Sequence, residues 1–200
     1  AMLAQQAAGV LVQSLDVAGH ALARQHAHRL DQAECHAAGK AVQRLVVAHG
    51  DQRLEARGDL SVDEVLERLR RTLTKVYADR KPHFEWRLPR GLKIRMDSGD
   101  LYELLGNLLE NAVKYGNGRV RVSAGRLGRA LVLTVDDDGP GFPDDPERLL
   151  ARGVRADTRT PGQGIGLAAS HELVHTYHGR LMLDHSPDLG GARVEIRLPV

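Results

Sequence analysis

Cysteine is almost missing from this chain: Cys35 stands alone among 200 residues. It can form no internal disulfide and finds no second thiolate for a metal cluster, which suits a reducing compartment and makes the cytoplasm the expected location. Long apolar runs are missing too, none approaching the roughly 18 residues of a membrane-spanning helix. The first stretch, "AMLAQQAAGVLVQSLD", lacks the basic head of a secretory signal, so any membrane anchor is expected outside this chain. There is little excess charge. A formal net charge of +2, with the arginines scattered rather than striped, gives no footprint for nucleic acid. What remains is ordinary: 42% apolar and 27% charged residues, the balance of a globular chain long enough for one core and a smaller unit beside it.

The first fifty-odd residues hold no proline, and Leu11, Leu15, Ala18 and Leu22 step by four, three and four. That is the seam of a helix. A second series, Ala38, Val42 and Leu45, comes after a polar stretch around "HRLDQAECH", so residues 1–57 read as an antiparallel helical hairpin. Two helices bury little alone, so the hairpin either dimerises into a four-helix unit or packs on the downstream domain. "EARGDLSVDEV" breaks the pattern and sets a domain boundary near Arg57. Ser61 or Asp59 is placed to cap a helix through about Tyr77, carrying Val62, Val65, Leu66, Leu69 and Leu73.

Beyond it the period changes repeatedly. "HFEWRLP", "LKIRM", "RVRVSA", "ALVLTVDD", "RLMLDH" and "ARVEIRLP" alternate as strands do. The order of helix, hairpin, helix, hairpin, loop, helix, hairpin predicts an antiparallel or mixed sheet with helices on one face. Residues 58–200 are therefore expected to form an α/β two-layer sandwich, preceded by the α-helical hairpin.

Three stretches carry chemistry. In "DLYELLGNLLENAVKYG" a helix is expected from Asp100 to about Tyr115, with Asp100 and Glu103 spaced as a capping box. Asn107, Asn111 and Lys114 share one face, opposite Leu104, Leu105, Leu108, Leu109 and Ala112. Amide oxygens suit Mg²⁺, which keeps several waters and takes its other oxygens from substrate phosphates, and an ammonium answers phosphate. A solvated helix face would look the same. In "LVLTVDDDGPGF" a strand ends in three consecutive aspartates and a Gly-Pro-Gly turn. Turn chemistry explains the glycines, but three adjacent carboxylates repel unless donors or a cation attend them. Asp137 is placed to accept from an amino group such as that of adenine. In "RADTRTPGQGIGLAAS" the glycines Gly162, Gly164 and Gly166 precede a helical stretch containing Ile165, Leu167 and Ala168, with Arg152, Arg155 and Arg159 upstream. Glycine amides at a helix start form a phosphate nest. As a dinucleotide fingerprint the stretch fails, because an arginine-rich loop and not a strand precedes it.

Together and in this order, "NLLENAVKY", "DDDGPGF" and "GQGIGLA" resemble the N, G1 and G2 boxes of the GHKL superfamily of ATP-binding (Bergerat-fold) domains, and within it the catalytic domain of sensor histidine kinases. "RGVRADTRTPGQGIGLA" and "LGGARVEIRL" are similar to the PhoQ-like branch, and the likeness covers about residues 60–200. The resemblance implies that Asn107 and Asn111 hold Mg²⁺, Lys114 meets phosphate, and Tyr115 lies beside the ATP. It implies further that Asp137 binds the adenine amino group and that Gly139 and Gly141 shape its pocket. Gly162, Gly164 and Gly166 would hinge a lid, Ile165 and Leu167 would count among the nucleotide-binding positions, and Arg152 or Arg155 would reach phosphate. The expected function is transfer of the ATP γ-phosphoryl group to a histidine on a dimerisation helix and onward to a response-regulator receiver domain. The hairpin would make the homodimer, in the cytoplasmic part of an inner-membrane sensor.

Two departures stand out. Leu149 or Leu150 occupies the lid where the family carries a phenylalanine. None of His20, His26, His28, His36 and His49 has the acceptor pattern of a histidine followed by an acid, a base two further on and a proline. The alternative is thus a degenerate or truncated kinase that binds ATP as a dimeric module without autophosphorylation. Hydrolysing members of the superfamily carry a water-orienting carboxylate where this chain has the amide of Asn107, which favours transfer over hydrolysis. A rival motif is His171-Glu172-Leu173-Val174-His175, a full H-E-x-x-H match with His178 available as third ligand of a zinc hydrolase. Chance supplies such a match in roughly two or three of a hundred chains of this composition. The helix after the glycine nest already accounts for its surroundings.

Overall fold

The structure, a computed structural model, describes residues 61–150 and 166–200. The expected helical hairpin of residues 1–57, the boundary near Arg57, and Arg152, Arg155, Gly162, Gly164 and Ile165 lie outside the described residues.

Helix α1 (Val62–Val76) buries the five apolar residues expected of it, Val62, Val65, Leu66, Leu69 and Leu73. Ser61 is its cap: its backbone N–H donates to Glu64 Oε2 at 3.0 Å and its hydroxyl to the same oxygen at 2.9 Å. Asp63 and Glu64 in the first turn and Lys75 in the last oppose the helix dipole. Strand β1 (His83–Arg87) comes next, tied back to α1 where Trp86 Nε1 donates to Glu67 Oε1 at 2.8 Å.

The "LKIRM" stretch is not a strand, so the first expected hairpin does not form. Leu92, Ile94 and Met96 do alternate, but they serve as half-buried packing against the core. The backbone there is engaged otherwise, Leu92 O accepting from Val62 N at 2.7 Å. Relieved of that partner, β1 pairs in parallel with β2 (Arg119–Leu127), and the sheet becomes mixed. The remaining strands are β3 (Ala130–Asp137), β4 (Arg180–His185) and β5 (Ala192–Pro199), in the order β1-β2-β3-β5-β4 with every other pairing antiparallel.

Helix α2 (Ser98–Tyr115) lies over β2 and β3, α3 (Gly166–Thr176) lies over β4, and α1 packs on α2. Helix α2 starts two residues before the expected Asp100. Its cap is Asp97, whose carboxylate accepts from Gly99 N at 2.8 Å. Asp100 instead accepts from the Tyr177 hydroxyl, so the capping box read from Asp100 and Glu103 is replaced by a tie to the end of α3. The core lies between the layers. Val122, Val135 and Val194 stand in register across the sheet, as do Leu133, Ile196 and Leu181, all beneath Leu101, Leu104, Leu105, Leu108 and Leu109 of α2. Each such side chain contributes about 1.5–3 kcal/mol on burial. The expected α/β two-layer sandwich of residues 58–200 is found over its described part.

Candidate functional site

Helix α2 is the spine on which the three motifs meet. Its apolar stripe is pinned to the sheet, which turns Asn107, Glu110 and Asn111 to a half-buried flank. The far end of the helix meets the aspartates: Gly116, immediately after Tyr115, lies where an added Cβ would stand 3.4 Å from Asp137 Cβ. The middle of the helix meets the last glycine of the glycine-rich stretch, since a Cβ on Gly166, the first residue of α3, would stand 3.6 Å from Asn107 Oδ1. From Asn107 to Gly116 the helix rises about 13 Å. The stretch along the helix from Asn107 and Asn111 to Asp137 is the candidate cleft.

Lys114 is buried, with Nζ 5.7 Å from the centroid of the Tyr115 ring, which is 40% exposed. Its backbone carbonyl accepts from Arg80 at 2.7 Å, so the 3₁₀ turn at Ala78–Arg80 fixes the end of α2. Beside it burial pushes the Glu110 carboxyl up, against the lowering effect of the Tyr77 hydroxyl that donates to it at 3.1 Å and of the Lys114 charge.

The three aspartates resolve into three separate environments. Asp138 Oδ1 accepts from the backbone of Asn117 at 2.8 Å and of Arg119 at 3.0 Å, closing the turn between α2 and β2. Asp136, wholly buried, faces the outer side of the sheet and takes both nitrogens of the Arg193 fork, at 2.7 and 3.1 Å. Asp137 alone continues the inner row of Leu131, Leu133 and Val135 into the cleft. Its Oδ1 accepts from Gly139 N at 2.9 Å and Ala192 N at 3.0 Å. Among the described residues no hydrogen-bond donor reaches Oδ2. Burial pushes this carboxyl above the usual carboxylate range; the two N–H groups oppose the rise, and the Asp138 and Asp136 charges add to it.

Backbone approach explains the glycines. A side chain at Gly139 would strike Tyr115 O at 2.5 Å, and one at Gly191 would overlap the carbonyl and carboxylate of Asp137. Gly141 has a φ of +81°, and a Cβ added there would stand 3.1 Å from His185 Nδ1. Leu167 is half-buried against the core, as are Phe142 and Leu150, while Leu149 is buried. Gly191, Ala192 and Arg193 stand in the stretch "LGGARVEIRL" but carry no role in the sequence reading, although a Gly-Gly pair opening a strand is a usable sign of close backbone approach.

The H-E-x-x-H stretch lies on α3. His171 is half-buried, Glu172 and His175 are exposed, and His178 comes after the helix in a left-handed conformation with φ 55°. Among the described residues no three His, Cys, Asp or Glu side chains are grouped to hold a metal ion. None of the described helices is long and apolar enough to cross a membrane.

Comparison with known proteins bears on the same residues. The family profile described as "Histidine kinase-, DNA gyrase B-, and HSP90-like ATPase" matches residues 96–200. The "Two-component sensor PhoQ" of Pseudomonas aeruginosa is 47% identical over 135 residues, covering 66% of this chain and 30% of that protein. The "Sensor protein PhoQ" of Escherichia coli K12 is 37% identical over 136 residues, covering 68% and 28%. The chain therefore spans less than a third of the length of these relatives. Among solved structures, the "Mycobacterial sensor histidine kinase MprB" superposes with a TM-score of 0.61 at 28% identity, covering 70% of this chain and 95% of that one. The chain accordingly belongs to the histidine kinase-, DNA gyrase B-, and HSP90-like ATPase family, and over this region it is similar to the PhoQ sensor proteins.

Proposed function

We propose that the cleft along α2 holds Mg-ATP for transfer of its γ-phosphoryl group to a histidine on a dimerisation helix, and from there to a response-regulator receiver domain. The observation that carries this reading is the meeting of three separate motifs on one helix: Asp137 at its end, and Gly166 against Asn107 at its middle. Asp137 Oδ2 would accept from the adenine amino group, with Tyr115 beside the base and Gly139 and Gly141 shaping its pocket. Two neutral amide oxygens, from Asn107 and Asn111, fit an ion that keeps water and phosphate in its other positions. Bound there, Mg²⁺ would supply charge neutralisation at the phosphates. Lys114 and the arginines Arg152 or Arg155 would meet phosphate charge, the glycines Gly162, Gly164 and Gly166 would hinge the lid, and Ile165 and Leu167 would line it.

Phosphoryl transfer asks little covalent chemistry of the protein and much positioning and charge stabilisation. Asn107 stands where a hydrolase of this superfamily would orient water with a carboxylate, so the chain is suited to handing the phosphoryl group to a protein nucleophile. The nucleophile, the homodimer through the 1–57 hairpin and the receiver partner belong to this proposal, as does placement on the cytoplasmic side of an inner-membrane sensor. Calorimetry with Mg-ADP tests the site, and binding is expected. Incubation with labelled Mg-ATP and a separate hairpin bearing the acceptor pattern tests transfer, with an acid-labile phosphohistidine as the expected product. Steady release of free phosphate within seconds without any phosphoprotein would sink the kinase reading. Tight Mg-ADP binding with no transfer would leave a nucleotide-binding module.

A further inference from the structure

The outer face of the sheet carries one row of alternating charge across all five strands. In register stand Glu85 on β1, Arg121 on β2, Asp136 on β3, Arg193 on β5 and Asp184 on β4. The centre of the row is the least exposed part: Asp136 is at 0% and the Arg121 side chain at 7%. Arg121 donates to Glu85 at 2.8 Å and to Asp188, in the turn between β4 and β5, at 2.7 Å. Arg193 closes on Asp136 with two nearly parallel bonds.

Stability alone is a weak reason for such a row. A wholly buried carboxylate sacrifices its hydration, and a buried ion pair is on balance no better than apolar residues of the same volume. The position of the row is more telling. Asp136 and Arg193 are cross-strand partners, and the residues beside them, Asp137 and Ala192, form the hydrogen bond that orients the cleft carboxylate from the other face. Strand side chains alternate, so a slip of one residue would carry Asp137 to the wrong side of the sheet. A bidentate fork resists both slip and twist better than a point charge.

We propose that the Asp136–Arg193 ion pair is a positioning device for Asp137, clamping β3 to β5 from the outer face so that Ala192 N–H holds Oδ1 and Oδ2 is aimed at the base. The proposal rests on the reading of Asp137 as the group that meets the adenine amino group. Arg193 touches neither nucleotide nor metal in this scheme, and its effect is confined to base recognition. The phosphate end, at Asn107 and Asn111, lies about 8–13 Å along α2 from Gly116, where the helix meets Asp137.

The test is calorimetric titration of the intact 200-residue chain with Mg-ADP and with Mg-IDP, whose base carries a carbonyl in place of the amino group. Arg193→Lys keeps the charge without the fork, Arg193→Met keeps only the stem, and the neutral pair Asp136→Asn with Arg193→Gln keeps a hydrogen bond without charge. Both single Arg193 variants are expected to lose about tenfold in ADP affinity while IDP affinity changes by less than about twofold. The double variant should recover most of the preference. A folded Arg193→Lys or Arg193→Met chain with the wild-type ratio of ADP to IDP affinity would overturn the proposal. If Arg193→Met does not fold, the lysine and double variants decide. Asp137→Asn separates the adenine reading from the clamp: if it leaves the ratio unchanged, the adenine reading falls and the clamp with it. If it abolishes the ratio while folded Arg193 variants keep it, the clamp alone falls.

Discussion

At the Asp137 end of the candidate cleft the oxygen proposed to meet the ligand is aimed by backbone. Two N–H groups hold its sister oxygen, and two glycines let main chains approach where any side chain would collide. At the Asn107 end the candidate groups are side chains on a helix flank, half-buried, and among the described residues the start of α3 is set against Asn107. The first end is preorganised by the same contacts that hold the sheet together, so binding and folding are coupled there. The second is carried by a helix whose stability comes from its opposite, leucine-rich face, so binding and folding are separable.

The sharpest break of that contrast is Gly191→Ala. Its methyl group overlaps Asp137 and Gly139, and a cost of about 3 kcal/mol in urea unfolding is expected together with at least about a hundredfold loss of Mg-ADP affinity. A variant with normal affinity and midpoint would show that the cradle gives way freely.

Asp137→Asn comes next. The amide oxygen would turn to the two N–H donors and leave its NH₂ facing the base, donor against donor, so ADP affinity should fall about a hundredfold and the preference should move toward IDP. The same substitution should stabilise the unliganded chain at neutral pH. A carboxyl whose pKa is raised on folding, here chiefly by burial, contributes stability below its unfolded pKa and loses it as pH rises through the folded value. Binding runs the other way in the wild type. ADP affinity should decline as pH falls through the raised pKa, because a proton then occupies the acceptor. Affinity flat from pH 7 to well below the carboxylate range would refute that account.

Asn111→Ala tests the separable end. About a tenfold loss of Mg-ATP affinity is expected, with a smaller loss for ADP without magnesium and a melting temperature within about 3 °C of wild type. Equal losses with and without magnesium would take the metal away from Asn111. The smallest effect belongs to Ser61→Ala, at the start of α1 and away from both ends. Loss of the cap should cost about 1 kcal/mol in stability and leave both nucleotide affinities unchanged.

How much of the molecule is legible in the sequence depends on the range of the interaction. The apolar steps of α1 and α2 and the alternation in β2, β3 and β5 are readable, because period arises from local geometry. The alternation in "LKIRM" is equally regular and does not make a strand, since its backbone finds α1 as a partner. The cap at Asp97 is hidden for a related reason: Asp100 is taken up by Tyr177, 77 residues away. Within the site, Asn107, Asn111, Asp137 and the glycines of the turn stand out as residue types at telling intervals. Gly191, Ala192 and Arg193 stand within "LGGARVEIRL", but what they do for Asp137 lies in a strand pairing.

The sequence by itself determined which residue types are on offer: two amides and an ammonium on one helix face, a carboxylate at a strand end, glycines at a helix start. Only the tertiary structure decided what each of the three neighbouring aspartates is bonded to. Repulsion and composition treat Asp136, Asp137 and Asp138 alike, and it is the strand's alternation, set against Arg193 on one face and Ala192 on the other, that gives each its own role.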